Sequence, residues 1–300
     1  MPAELFGCDF VEDAQLLYDP SFVVRALPHV NSMMPGDHPE MLFWYDSTGR
    51  KGFEEWFAAL AYFGVEPGDG YDIYVTRAPA EGLGNGLGGR ATADQLMGYD
   101  IILYSCGDLE QYTLSHGDGL EDESDDIGLL SQWLSQETKN LLLTGDNLAT
   151  DLSDCIDGSV FLTSIMQTSL IDGDVAPLLG NPTWPNAQVV DDQYVLYGID
   201  SWYVYGGEPA LNHFDAVAPI GGGVSLADFV HQDGTVTAYS AAILSQTDDN
   251  IVFLPSDLQF VISETSEPMN IYNLGTMSAT NVTEIAEIVA TELELNPEFT

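Results

Sequence analysis

Tyr99-Asp-Ile-Ile-Leu-Tyr-Ser-Cys-Gly-Asp108 and Asn140-Leu-Leu-Leu-Thr-Gly-Asp-Asn-Leu-Ala-Thr-Asp-Leu152 decide the reading of this chain. In each, a short apolar run, Ile101–Tyr104 or Leu141–Leu143, leads through a small residue to a Gly and an Asp. Between them Ile127, Leu130 and Leu134 recur at helical spacing, and Leu129 and Trp133 widen the apolar face. Continuous apolar runs separated by an amphipathic helix are what a parallel sheet covered on both faces requires. The stretch therefore predicts an α/β protein: a three-layer, mostly parallel sheet with helices on both faces.

Towards the N-terminus, Met41-Leu-Phe-Trp-Tyr-Asp46 reads as the first strand and Tyr71-Asp-Ile-Tyr-Val-Thr76 as the second. The helix between them presents Phe53, Trp56, Phe57, Leu60 and Phe63 on one face, with Gly64 after its end. Residues 1–39, with five prolines and no sustained period, read as an arm or linker holding one short strand at Phe22–Leu27. The run Gly82-Leu-Gly-Asn-Gly-Leu-Gly-Gly-Arg90 lacks the Lys-Ser/Thr of a phosphate loop and does not join a strand directly to a helix, so it reads as a flexible connection.

Beyond Leu152 the pattern changes. Short strands and turns from about 158 to 238 predict a β-rich insertion into a domain spanning 40–300. Trp184, Trp202, Tyr203 and Tyr205 are too apolar to stay solvated, so the insertion is expected to pack on the sheet. Ala241–Leu244 and Ile251–Leu254 resume the sheet as a hairpin across Asp248-Asp-Asn250. Val282, Ile285, Ile288, Val289 and Leu293 predict a terminal amphipathic helix, capped by Thr280 or Asn281.

Charge is the most unusual property: 48 acids face six bases, a formal net charge of −42. Residues 140–300 hold 23 acids and no Lys or Arg. Such a field repels nucleic acid and anionic membranes, and no apolar run approaches the roughly 20 residues of a membrane span. It fits an acidic surface adapted to salt, with stability that rises as self-repulsion is screened. The alternative is discrete Ca²⁺ binding. The acidic loop 118–126 carries the candidate ligands Asp118, Glu121, Asp122 and Asp125, although its spacing is not an EF-hand. The same loop also suits capping of the following helix by Ser124 or Asp125.

Cys8, Cys106 and Cys155 match no zinc spacing and cannot all pair within one chain. The five histidines lack the i, i+4 pairing of a metalloprotease helix. Cys106 with His116 invites a caspase-like Cys–His reading, but those peptidases carry the histidine before the cysteine.

The order strand, helix, strand, long loop, Tyr99–Asp108, helix, Leu141-Leu-Leu-Thr-Gly-Asp-Asn-Leu148 resembles the class I glutamine amidotransferase-like fold. It is most similar to the non-catalytic versions in large secreted bacterial proteins, over about 40–155 and 238–296. The resemblance implies a sharp strand-to-helix turn bearing a nucleophilic Cys, and a His-x-Glu after a late strand. Here that turn reads Leu143-Thr-Gly-Asp-Asn-Leu-Ala149 without a Cys, and Pro255-Ser-Asp-Leu-Gln259 follows the late strand without a His. Thr144 is a poor substitute without an adjacent base.

The expectation is thus a pseudoenzyme. It would be a non-enzymatic interaction or assembly module of an extracellular or cell-surface protein, with a protein partner or its own copies as ligand. A leader or upstream region would lie outside this chain. The competing class is a hydrolase with an atypical site at the carboxyl ends of the strands, where open α/β sheets bind ligands. Its candidate residues are Asp46, Ser47, Ser105, Cys106, Asp108, Asp146 and Asn147. Perturbed carboxylates around a deep pocket would favour the enzyme, and a shallow solvated rim the module.

Overall fold

The computed structural model describes residues 39–46, 52–76, 86–117, 124–136, 139–182, 184–190, 196, 199–204, 213–246, 250–258 and 261–263. The arm strand at Phe22–Leu27, the terminal helix at 282–293, Ser47, Tyr205 and the candidate cation ligands Asp118, Glu121 and Asp122 lie outside these residues.

Five strands run parallel: β1 (Met41–Tyr45), β2 (Tyr71–Val75), β3 (Ile101–Ser105), β4 (Asn140–Thr144) and β11 (Asn250–Leu254). They stand side by side in the order β11, β4, β3, β1, β2. Both faces of β1 are buried, which is why it reads as an unbroken apolar run rather than an alternation. Met41, Phe43 and Tyr45 join one apolar cluster with Trp56, Leu60 and Phe63, from and just after helix α1 (Phe53–Tyr62). Leu42 and Trp44 join the other, with Leu96 of α2 (Ala93–Leu96) and with Ile127, Leu130 and Trp133 of α3 (Asp126–Leu134).

The expectation of a mostly parallel sheet is corrected. The remaining seven of twelve strands pair antiparallel, so the sheet is mixed. β10 (Val236–Gln246) pairs antiparallel with β11, as expected of the hairpin read from the sequence, and carries β9 (Val224–Val230) on its other side. β6 (Asn186–Val189), β7 (Ser201–Val204) and β12 (Val261–Ser263) continue outward, while β5 (Thr168–Asp172) pairs β8 (Ala216–Pro219), which meets β10. Trp202, Phe214 and Phe229 enter the same apolar cluster as Phe43. The first part of the stretch that reads as strands is helical instead: α5 (Ile156–Val160) runs into a π turn at Phe161–Ile165, whose Ile165 carbonyl accepts from Ser245 Oγ at 2.9 Å.

The far ends of β3 and β4 are held by Lys139. Its buried ammonium donates to the carbonyls of Met97 (3.3 Å) and Tyr99 (3.0 Å) and to Asp100 Oδ1 (2.9 Å), and lies 5.7 Å from the Trp133 ring centre. Trp133 Nε1 donates to the same Tyr99 carbonyl at 3.0 Å. Replacing Lys139 by Met keeps the stem but removes those bonds. The expected loss is about 1–3 kcal/mol, read as a lower urea midpoint; an unchanged midpoint contradicts the clamp.

Candidate functional site at the carboxyl ends of the strands

Each parallel strand hands its chain to a polar residue at the same edge: Asp46 after β1, Thr76 after β2, Cys106 after β3, Gly145-Asp146 after β4, and Pro255-Ser-Asp257 after β11. The sequence-derived candidates Asp46, Ser105, Cys106, Asp146 and Asn147 are buried at this rim, and Asp108 is half-buried. Ser47 lies outside the described residues.

Gly145 is required by close approach. A Cβ on it would stand 1.9 Å from Cys106 Sγ, so the thiol occupies the room a side chain would need. That thiol also points at the Thr144 carbonyl, 3.5 Å away. Burial pushes the Cys106 pKa up, and Asp46, Asp257, Asp146 and Asp151 push it further, so the thiolate that would attack a substrate is disfavoured.

The turn that could carry a nucleophile is closed by the chain's own groups. Asp146 N–H donates to the Gly107 carbonyl (3.0 Å) and Gly145 N–H to that of Leu254 (3.3 Å). Asn147 precedes α4 (Leu148–Ser153) without capping it through its side chain. Asp215, remote in sequence, does so instead: its carboxyl accepts from Ala149 N–H (2.7 Å), Thr150 N–H (3.2 Å) and Thr150 Oγ1. The amides of Gly145, Asp146, Ala149 and Thr150 are therefore occupied and not free to stabilise an oxyanion.

Asp257 stands where the resemblance implies a histidine. Its carboxyl accepts from Thr144 Oγ1 (3.1 Å) and from Ser105 Oγ, and its N–H donates to Asp146 Oδ1 (3.0 Å). The expectation that Thr144 has no basic group beside it is thus corrected, although Ser105, Thr144 and Asp257 are all shut from solvent. Asp46 accepts from Tyr104 OH (2.9 Å), and Trp44 Nε1 donates to Thr76 Oγ1 (2.8 Å) next to it. Two carboxylate oxygens in this rim, Asp46 Oδ1 and Asp146 Oδ2, are buried without a hydrogen-bond partner.

Electrostatics follow from that crowding. Burial raises the pKa values of Asp46 and Asp146 well above the ordinary range. Asp126 and Asp151 add to the rise at Asp46, and Asp257, Asp108 and Asp215 add to it at Asp146. Burial lifts Asp151 despite bonds from Tyr112 and Thr113, and lifts Asp215 to about 7 despite its three bonds.

Sequence reasoning missed Asp151, Asp215 and Asp257. Asp257 had a signal, since it follows an apolar strand as Asp46 and Asp146 do; Asp215 had none. The glycine run is corrected in its described part. Leu87–Gly89 is a 3-10 turn, Gly88 N–H donates to the Asp126 carboxyl, and a Cβ on Gly88 would stand 2.1 Å from the Asp125 carbonyl oxygen. Asp125, the one candidate cation ligand among the described residues, caps α3 by accepting from Gly128 N–H at 2.8 Å. Among the described residues no three His, Cys, Asp or Glu side chains converge as a metal site, and no helix is long and apolar enough to cross a membrane.

No family model and no curated protein matches the chain. Among solved structures it is similar to a ThuA-like protein from Bacteroides uniformis, with TM-score 0.42, 9% identity, and coverage of 91% of this chain and 99% of that one. It is also similar to PurLQS from Thermotoga maritima, with TM-score 0.40, 10% identity, and coverage of 85% and 99%. Neither likeness is strong enough to assign a family or an activity.

Proposed function

We propose that the chain is a non-enzymatic interaction or assembly module of an acidic extracellular or cell-surface protein. In this reading residues 40–300 form an amidotransferase-like domain, three layers deep with helices on both faces, preceded by the arm 1–39. The observation that carries the reading is the Asp215 carboxyl on the amides of Ala149 and Thr150. With the Asp146 side chain in the same turn, carboxyl groups stand where a developing oxyanion would need free donors. The partner is a protein or a second copy rather than nucleic acid, given the net charge of −42. Ile156 (83% exposed) and Val160 (53%), one turn apart on α5, offer such a partner apolar surface. Ca²⁺ held by Asp118, Glu121, Asp122 and Asp125 belongs to the same proposal, and a silent calorimetric titration would remove it.

One observation favours the second reading, a hydrolase using Cys106 or the Asp146 turn. The rim carboxyls are perturbed together, as active-site groups often are. Assays for glutaminase, esterase and peptidase turnover separate the two. The module predicts no turnover and no effect of Cys106→Ala. Hydrolysis abolished by Cys106→Ala or Asp146→Asn would establish the enzyme.

A further inference from the structure

Three separate stretches of chain meet at the rim and are tied there by carboxyl groups. Asp146, in the turn after β4, accepts from the N–H of Asp257 after β11 (3.0 Å) through its side chain and from the N–H of Asp215 before β8 (3.0 Å) through its carbonyl. Asp215 returns the tie by capping α4, and Asp257 binds the hydroxyls at the ends of β3 and β4. Of the two buried oxygens without a partner, Asp146 Oδ2 belongs to this knot, and Asp46 Oδ1 lies after β1 beside Tyr104 and Thr76.

The groups facing these carboxyls are acids or neutral. Around Asp146 stand Asp108 and Cys106 from the β3 side, Asp257 from β11 and Asp215 from the approach to β8. Around Asp46 stand Asp126 of α3, Asp151 of α4, Tyr104 and Cys106 from β3, and Tyr74 and Thr76 from β2. Around Asp215 stand Asp151 and the Thr150 hydroxyl. Arg90 stands in the same quarter, where its guanidinium donates to the Tyr74 hydroxyl. A buried carboxylate with no counter-ion costs far more than a buried neutral carboxyl, even one whose hydroxyl lacks an acceptor.

We propose that the rim is a proton-operated latch: protonated carboxyls hold the turn after β4, the turn after β11 and the approach to β8 together, and their deprotonation drives these segments apart and opens the strand ends. The latch is independent of whether the domain is a module or an enzyme, since it rests on the chain's own packing.

The full chain tests it by amide hydrogen exchange from about pH 5 to about pH 8.5, each rate divided by its intrinsic rate. Protection of 143–152, 213–218 and 254–258 is expected to fall at least about tenfold, as one displaced proton implies, while β1 and β3 keep theirs. In Asp46→Asn/Asp146→Asn the fall is expected to shrink or vanish, because the amide keeps the Oδ1 acceptor and carries no charge. If that double variant does not fold, Asp146→Asn alone is expected to reduce the fall. Equal protection at both pH values, a loss spread evenly over all strands, or a fall that persists undiminished in the folded variant overturns the latch.

Discussion

Gly145→Ala is expected to destabilise the protein by on the order of 3 kcal/mol, and to cost much less once Cys106 is also Ala, the remainder being backbone strain at φ 158°. The clash is specific, because the added Cβ would stand 1.9 Å from Cys106 Sγ while its next neighbours are at 3.5 and 3.7 Å, ordinary contact distances. Overfilling a closed interior costs about 1–3 kcal/mol, more where nothing can move. Cys106 is held between β3 and β4 and has nowhere to go. Cys106→Ala alone removes one buried atom, for a loss near 1 kcal/mol. Denaturant titration of the four proteins should give a coupling energy of about 2 kcal/mol or more. Gly145→Ala costing the same in both backgrounds would mean that the thiol does not fill this space.

Stability is expected to fall as pH rises from about 4 to about 7, the opposite of a protein whose carboxylates are paired with bases. The sign follows from where the proton is held. A buried carboxyl with a raised folded-state pKa binds its proton more tightly folded than unfolded. Below the unfolded value, about 3.9, both states are protonated and the group contributes nothing. Above it, stability drops with each increment of pH until the folded value is passed. For Asp215 that window closes at about 7, and the full cost is on the order of 4 kcal/mol. Asp46, Asp146 and Asp151 are raised as well, so their windows open at the same place. Asp146→Asn should therefore raise the melting temperature at neutral pH by several degrees and flatten its pH dependence. Molar NaCl separates this from surface repulsion, which salt screens and burial does not. Stability that climbs through the window in molar salt would contradict the assignment.

The sheet's parallel half was legible because burial on both faces leaves no alternation to misread: Met41–Tyr45, Ile101–Ser105 and Asn140–Thr144 appear as apolar runs and are strands. The helix from Asp126 was legible for the opposite reason, its 3.6-residue period and its Asp125 cap. In the antiparallel half the hairpin of β10 and β11 was legible from its two apolar runs, and the rest only as short strands and turns. Strands such as Asn186–Val189 are short, and their register is fixed by partners far along the chain. Val160–Ile165 shows the limit of apolar content as a guide, since the same residues serve a π turn packed under β10. At the rim, strand-end logic found Asp46, Cys106 and Asp146. It could not find Asp215, whose role depends on a contact with Ala149 across 66 positions.

In the proposed reading the strand-end rim is filled by its own chain and holds no working nucleophile. N-ethylmaleimide labelling of Cys106 at about pH 6, followed by peptide mass, tests this most directly, because burial and surrounding acids both suppress the thiolate. The native protein is expected to leave Cys106 unmodified over a period in which the denatured chain labels fully. Rapid, stoichiometric modification of Cys106 in the folded protein would contradict it.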